Sequence, residues 1–209
     1  MNGAPSNPAL QPGRSRRQGV ITLEFILAMP LLFIMTLAVF EFAMLALVQQ
    51  AATTAVIEGA REGAKIFPGF PPFPFTDPGG EPSPDPTDLD DRADYIADVV
   101  DTYLGVHCLE VAPAGGAGDD PTRANARVVI ERRVGAGAVQ TVTRGDDTID
   151  CNATGPPLNP NEIRVTVCFL LVDATDPSGC GNPVPDWLAP FGFSFDGCRF
   201  EMSSRANLE

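Results

Sequence analysis

Two carboxylates stand where water is scarce: Glu24 and Glu41 are the only ionisable side chains between Arg17 and Glu58. A carboxyl inside an apolar stretch is costly and is retained for a partner, either a cation or a hydrogen-bond donor. Other residues with chemical potential are weaker cases. Asp85, Asp88, Asp90, Asp91 and Asp94 have a calcium-like density. They lack the glycine at the sixth position and the glutamate at the twelfth that the EF-hand loop requires. A helix N-terminus explains such acids without a metal. The lone histidine, His107, is followed by Cys108, but neighbours on a strand point to opposite faces and cannot form a nucleophile–base dyad. No Cys-x-x-Cys pair offers zinc a site. The residues therefore imply no catalytic group, metal or cofactor.

The element that holds the two carboxylates is a 24-residue apolar run, Phe25 to Val48, interrupted by Glu41 and Thr36. About 20 residues at 1.5 Å each cross a hydrocarbon core of roughly 30 Å. Apolar residues occupy every face of this run, whereas a surface helix shows a stripe. The expectation is a single membrane span in contact with lipid. Arg14, Arg16 and Arg17 precede it, and 11 basic against 25 acidic residues follow it. The positive-inside bias then leaves the N-terminus in the cytoplasm and exports the rest. A removable signal peptide is the alternative, kept open by Ala51, Ala52 and Ala55. The run is longer than an ordinary 7–15-residue signal core. Pro30 lies inside it and predicts a kink, with a freed carbonyl near Ile26. The helix is expected to continue to Ile66, about 70 Å in all at 1.5 Å per residue. Ala51, Ala55, Gly59 and Gly63 recur every four residues and admit a close neighbour. That neighbour is either another helix or the chain's own distal domain.

Between Phe67 and Pro86 there are eight prolines and four phenylalanines, which predicts an extended or irregular linker. Thr87 to Leu104 then reads as a second helix: a capping threonine, acids in the first turn, and Leu89, Ala93, Ile96, Val100 and Leu104 at helical spacing. Strands are expected at 106–111, 127–134, 139–144 and 163–172, where β-branched residues alternate with polar ones. The segment from Asp173 has little periodicity and is expected to wrap the domain without adding regular structure. The fold class is α+β: a long N-terminal helix, a Pro-rich linker, and a small head with one helix and an antiparallel sheet. The organisation is 1–19, a leader; 20–66, span and stalk; 67–86, linker; 87–209, head. All five cysteines fall in the exported part, where disulfides are permitted. Cys180–Cys198 is the first pairing expected and Cys108–Cys151 the second. The net charge of -13 disfavours nucleic acid as a partner.

The N-terminal residues carry a resemblance as well. Arg16-Arg17-Gln18-Gly19-Val20-Ile21-Thr22-Leu23-Glu24-Phe25 looks like a class III signal, cut by a prepilin peptidase between Gly19 and Val20. Together with Met29-Pro30-Leu31-Leu32, Glu41-Phe42, Gln49-Gln50-Ala51 and Glu58-Gly59-Ala60-Arg61-Glu62-Gly63-Ala64, it resembles the TadE-like pseudopilins of tight-adherence (Flp pilus) systems. The resemblance covers about 50 residues and does not reach the head. It implies a bacterial inner-membrane protein with a cytoplasmic N-terminus and an exported C-terminal domain. It also implies that Glu24 neutralises the new amine of Val20, in its own or a neighbouring subunit. The partners it implies are the prepilin peptidase, other pilin or pseudopilin subunits, the Tad assembly platform and membrane lipid. Glu41 is expected to hydrogen-bond to another helix or to enter lipid uncharged. The alternative reading is a single-pass anchored or secreted enzyme or binding domain.

Overall fold

The computed structural model describes residues 15–65, 89–111, 124–152, 155–172 and 182–208, with side chains from Ile21 onward in the first helix. Helix α1 runs over Ser15–Ala64 and is unbroken through Pro30. Helix α2 covers Leu89–Leu104 and ends in a 3-10 turn at Gly105–His107. Four strands follow: β1 Ala126–Arg133, β2 Val139–Gly145, β3 Glu162–Leu170 and β4 Arg199–Asn207. They form one antiparallel sheet in the order β2-β1-β3-β4. The α+β expectation holds, with a long apolar N-terminal helix and one further helix.

The chain divides between Phe40 and Glu41 into two compact units. In the first, Ile21, Phe25, Leu27, Leu32, Phe33 and Phe40 are all exposed. Residues of Ile21–Ala64 are long and apolar enough to cross a membrane. Burying such side chains in lipid removes the cost of exposing them to water, about 25 cal/mol per Å² of apolar surface.

In the second unit the periodicity changes. Val48, Ala52, Ala55, Val56, Ala60 and Ala64 are buried at helical spacing and join Leu89, Ala93, Ile96, Ala97, Val100 and Leu104 of α2 in one core. The other wall is one face of the sheet. Val128 and Ile130 of β1, and Ile163, Val165, Val167 and Phe169 of β3, alternate inward. The antiparallel register sets Val128 opposite Val167 and Ile130 opposite Val165. Cross-strand pairs of this kind are the unit of sheet stability. Gly145 closes β2 at φ 89°, beside the Ala126 carbonyl, where any side chain would collide with the backbone. At the same end of the sheet, Arg144 ties α2 to β2. Its side chain is 8% exposed and donates to Asp94 Oδ1 and, at 3.0 Å, to Asp90 Oδ1. Burial alone would lower the guanidinium pKa, but the hydrogen bonds and charges of Asp94 and Asp90 outweigh it and raise the pKa.

Three expectations are corrected. Residues 106–111 form no strand, because Gly105 tightens the chain into the 3-10 turn and Cys108 takes φ 60°. The chain after Asp173 does add regular structure: β4 pairs with the whole length of β3, Glu162 opposite Asn207 through Leu170 opposite Arg199. The disulfides also differ. Cys151 bonds Cys168 (Cα–Cα 5.7 Å), not Cys108, and Cys198 carries a free thiol, so it does not pair with Cys180. Cys168 lies on the outer face of β3, and the β2–β3 connection crosses that face, so Cys151 meets it there. Cys108 is itself disulfide-bonded. Cys180, the linker 67–86 and the Thr87 cap lie outside the described residues.

Candidate functional site

The residues singled out by sequence fall on α1. Gly19 and Val20 lie in its first two turns. Glu24 is exposed in the third turn and has no ion-pair partner among the described residues. As the tenth residue of the intact helix, it is beyond the reach of the positive helix end, which fades within the first turn.

Glu41 is fully buried, unlike its neighbours Phe40 and Phe42. Its Oε1 accepts a hydrogen bond from the Leu188 backbone N–H at 3.3 Å, and its Oε2 is buried without a hydrogen-bond partner. One residue on, the ring of Phe42 meets that of Phe195 edge-to-face, with centroids 6.2 Å apart. The partner expected from another helix is therefore supplied by the chain's own segment 182–198. That segment is braced. Asp186 accepts from the Ser194 hydroxyl at 2.6 Å and the Phe195 N–H at 3.4 Å. A 3-10 turn at Ala189–Phe191 ends on Gly192 in the left-handed region, and Leu171 N–H donates to the Cys198 carbonyl at 3.0 Å.

The small-residue stripe likewise faces the chain's own head. A side chain built at Gly59 would come within 2.8 Å of Val100 Cγ2 in α2 and 3.5 Å of Val165 Cγ1 in β3. At Gly63 it would meet Ile163 Cδ1 at 2.6 Å and Ile96 Cδ1 at 3.2 Å. Ala55 is buried in the same contact, while Ala51 is only partly covered. Close approach of backbone to side chain is what glycine permits here.

Sequence reasoning missed a second construction on the outer face of the sheet. The connection from β2 to β3 is held down by five arginines that donate to its backbone carbonyls. Arg127 reaches Ile149 O at 2.8 Å, Arg199 reaches Asp150 O at 2.6 Å, and Arg133 reaches Leu158 O at 2.9 Å. Arg164 and Arg205 share Pro156 O, the former at 3.1 Å. Arg164 also pairs with Glu131 at 2.5 Å while only 6% exposed. The Cys151–Cys168 bond pins the same flap. The signal lay in the alternation of β1, where Arg127, Glu131 and Arg133 fall on the face opposite Val128 and Ile130. Arg164, Arg199 and Arg205 also pair with the carboxylates of Glu131, Asp150, Glu201 and Glu162, so these arginines are engaged within the domain itself.

Among the described residues, no group of three or more His, Cys, Asp or Glu side chains is placed to hold a metal ion. A cleft of about 470 Å³ lies between α1 and the free edge of β4, lined by Ile57, Arg61, Lys65, Ser204 and Arg205. Its charged groups are engaged with neighbours: Arg61 with Glu58 at 3.7 Å, Lys65 with Glu62, and Arg205 with Glu162 at 3.6 Å. No nucleophile stands beside a base in it.

A family model described as TadE-like protein matches residues 19–61. The match begins at Gly19 and ends two residues short of Gly63, so it covers the apolar helix and most of the glycine-bearing half that enters the core. No curated protein and no solved structure matches the chain.

Proposed function

We propose that the chain is a TadE-like pseudopilin. It is made with a leader over 1–19, anchored in the bacterial inner membrane through 20–66, and carries a linker over 67–86 and an exported head over 87–209. It contributes to assembly of Flp-type pili, and through them to adhesion or secretion, by joining other pilin or pseudopilin subunits and the Tad assembly platform. It performs no catalysis. The observation that carries this reading is the family match over 19–61, which coincides with a helix exposed and apolar in its first half.

The position of Glu24 gives the reading a physical test. In the intact chain it sits in the third turn. Cleavage between Gly19 and Val20 makes it the fifth residue of the new chain, about one helical turn from a free amine. An intramembrane carboxylate then has a cation to meet, in its own subunit or the next.

The experiment is the N-terminal residue and intact mass of the membrane-bound chain, with and without a co-expressed prepilin peptidase. Peptidase-dependent appearance of Val20 as the first residue is expected. Glu24→Ala is expected to leave cleavage intact and to abolish recovery of the subunit with assembled pili. An N-terminus beyond Val48 would sink the reading in favour of a secreted domain.

A further inference from the structure

Three large aromatic side chains crowd one short segment and are left in the open: Trp187 is 49% exposed, Phe191 48% and Phe193 72%. They do not dangle. Asp186 holds Ser194 and Phe195, the 3-10 turn Ala189–Phe191 fixes the middle, and Leu188 is buried beneath with its N–H on Glu41. A braced loop that presents aromatics outward has already met the ordering cost that would otherwise oppose a contact.

What they contact is indicated by where the loop docks. Glu41 and Phe42 belong to the apolar run of α1, and lie about 20 residues after Val20. At 1.5 Å per residue, a span beginning there crosses roughly 30 Å of hydrocarbon and leaves it near Glu41. An indole suits that boundary, its apolar body meeting lipid while its N–H edge stays wet, and phenyl rings beside it add apolar area to an interfacial contact. Segment 182–198 contains no lysine or arginine, so anionic headgroups would not draw it in.

We infer that segment 187–193 is a second membrane contact, seating Trp187, Phe191 and Phe193 in the lipid interface of the leaflet where α1 emerges, with Glu41 as the dock that sets its height. The inference rests on the reading of α1 as a membrane span. Interfacial insertion of this kind reaches about 5–10 Å into the headgroup and upper acyl region.

Trp187 is the single tryptophan, so the native chain reports on itself. The full chain is reconstituted in phosphatidylcholine vesicles whose acyl chains carry bromine near the headgroup or near the bilayer centre. Loss of Trp187 emission with the shallow bromines is expected, with little loss to aqueous iodide and no change when anionic lipid is added. A second variant, Trp187→Phe with Phe33→Trp, moves the indole to the middle of the apolar run, and it is expected to lose emission to the deep bromines. If the residue-33 indole ignores the deep bromines, the span itself is wrong and the inference goes with it. If that indole responds while Trp187 is quenched by iodide alone, the span stands and the inference is overturned. Insensitivity of Trp187 to both quenchers would mean that protein covers it, which also overturns the inference.

Discussion

Gly59→Ala decides whether the small-residue stripe serves the subunit's own core or another helix. In a helix with open space beside it, alanine is favoured over glycine by about 1 kcal/mol. At Gly59 the new methyl would lie 2.8 Å from Val100 Cγ2, with Val165 Cγ1 at 3.5 Å and Ile96 Cγ2 at 3.7 Å. Val100 is fully buried, and its one rotatable torsion moves both methyls together, so relief must come from backbone shift. Overpacking of this kind costs typically 1–3 kcal/mol, which leaves a net loss of about 1 kcal/mol after the propensity gain. For a unit of this size that lowers Tm by roughly 2–4 °C. Gly63→Ala meets the terminal methyls of Ile163 and Ile96, which can swing aside, so a change near zero is expected there. The assay is thermal unfolding of the purified full chain in detergent, followed by circular dichroism. A rise in Tm for Gly59→Ala would refute the reasoning, because the space beside Gly59 would then be free in the isolated subunit and reserved for a neighbour.

Two further outcomes follow from the head. Cys151 and Cys168 are 17 residues apart, and opening that loop in a Cys151→Ser, Cys168→Ala variant is expected to cost about 3 kcal/mol by loop-closure entropy, or roughly 6–12 °C in Tm. An unchanged Tm would show that the arginines alone hold the flap. For Arg144, the folded-state pKa is raised above its ordinary value, so its contribution is complete below that value and is lost only as pH climbs through the still higher folded pKa. The contribution is therefore constant between about pH 7 and 10, whereas a lysine in its place gives up its charge near about 10.4. Arg144→Lys is expected to lower Tm modestly at neutral pH, since Asp90 is largely and Asp94 partly exposed and screened, and the gap to the parent should widen on the way to high pH. A gap that stays flat would remove the ion pairs from the account.

The sequence carried a good part of this architecture and withheld the rest for identifiable reasons. The long apolar helix was legible because apolar residues occupy nearly every position from Phe25 to Val48. The core-facing half of α1 was visible as a stripe of small residues, but which surface it meets depends on α2 and β3, which are distant in sequence. Strands β1 and β3 announced themselves through Val-Val-Ile and Ile-Arg-Val-Thr-Val. Strand β4 did not, because Arg-Phe-Glu-Met-Ser-Ser-Arg-Ala-Asn is polar at most positions and follows Gly and Phe-rich chain. Its alternation is nevertheless real: Phe200, Met202 and Ala206 are partly buried against the core, as an edge strand half covered by one layer should be. The pairing of Cys151 with Cys168 was out of reach, since it requires knowing that the β2–β3 connection folds back across the outer face. Glu41 stands out in the sequence as a carboxyl inside an apolar run, but its hydrogen-bond partner, Leu188, lies 147 residues away and could not be read there.

Because Val48, Ala52, Val56 and Ala60 belong to the same core as α2 and the sheet, the head has no seam at which it can be released. A protease working from the water and cutting after Ala64 would strip the domain of one of its packing walls. Only a cut ahead of Glu41, inside the apolar run, would leave that wall in place. On the proposed reading of α1 as a membrane span, a head released with its core intact must therefore take the helix from Glu41 onward with it.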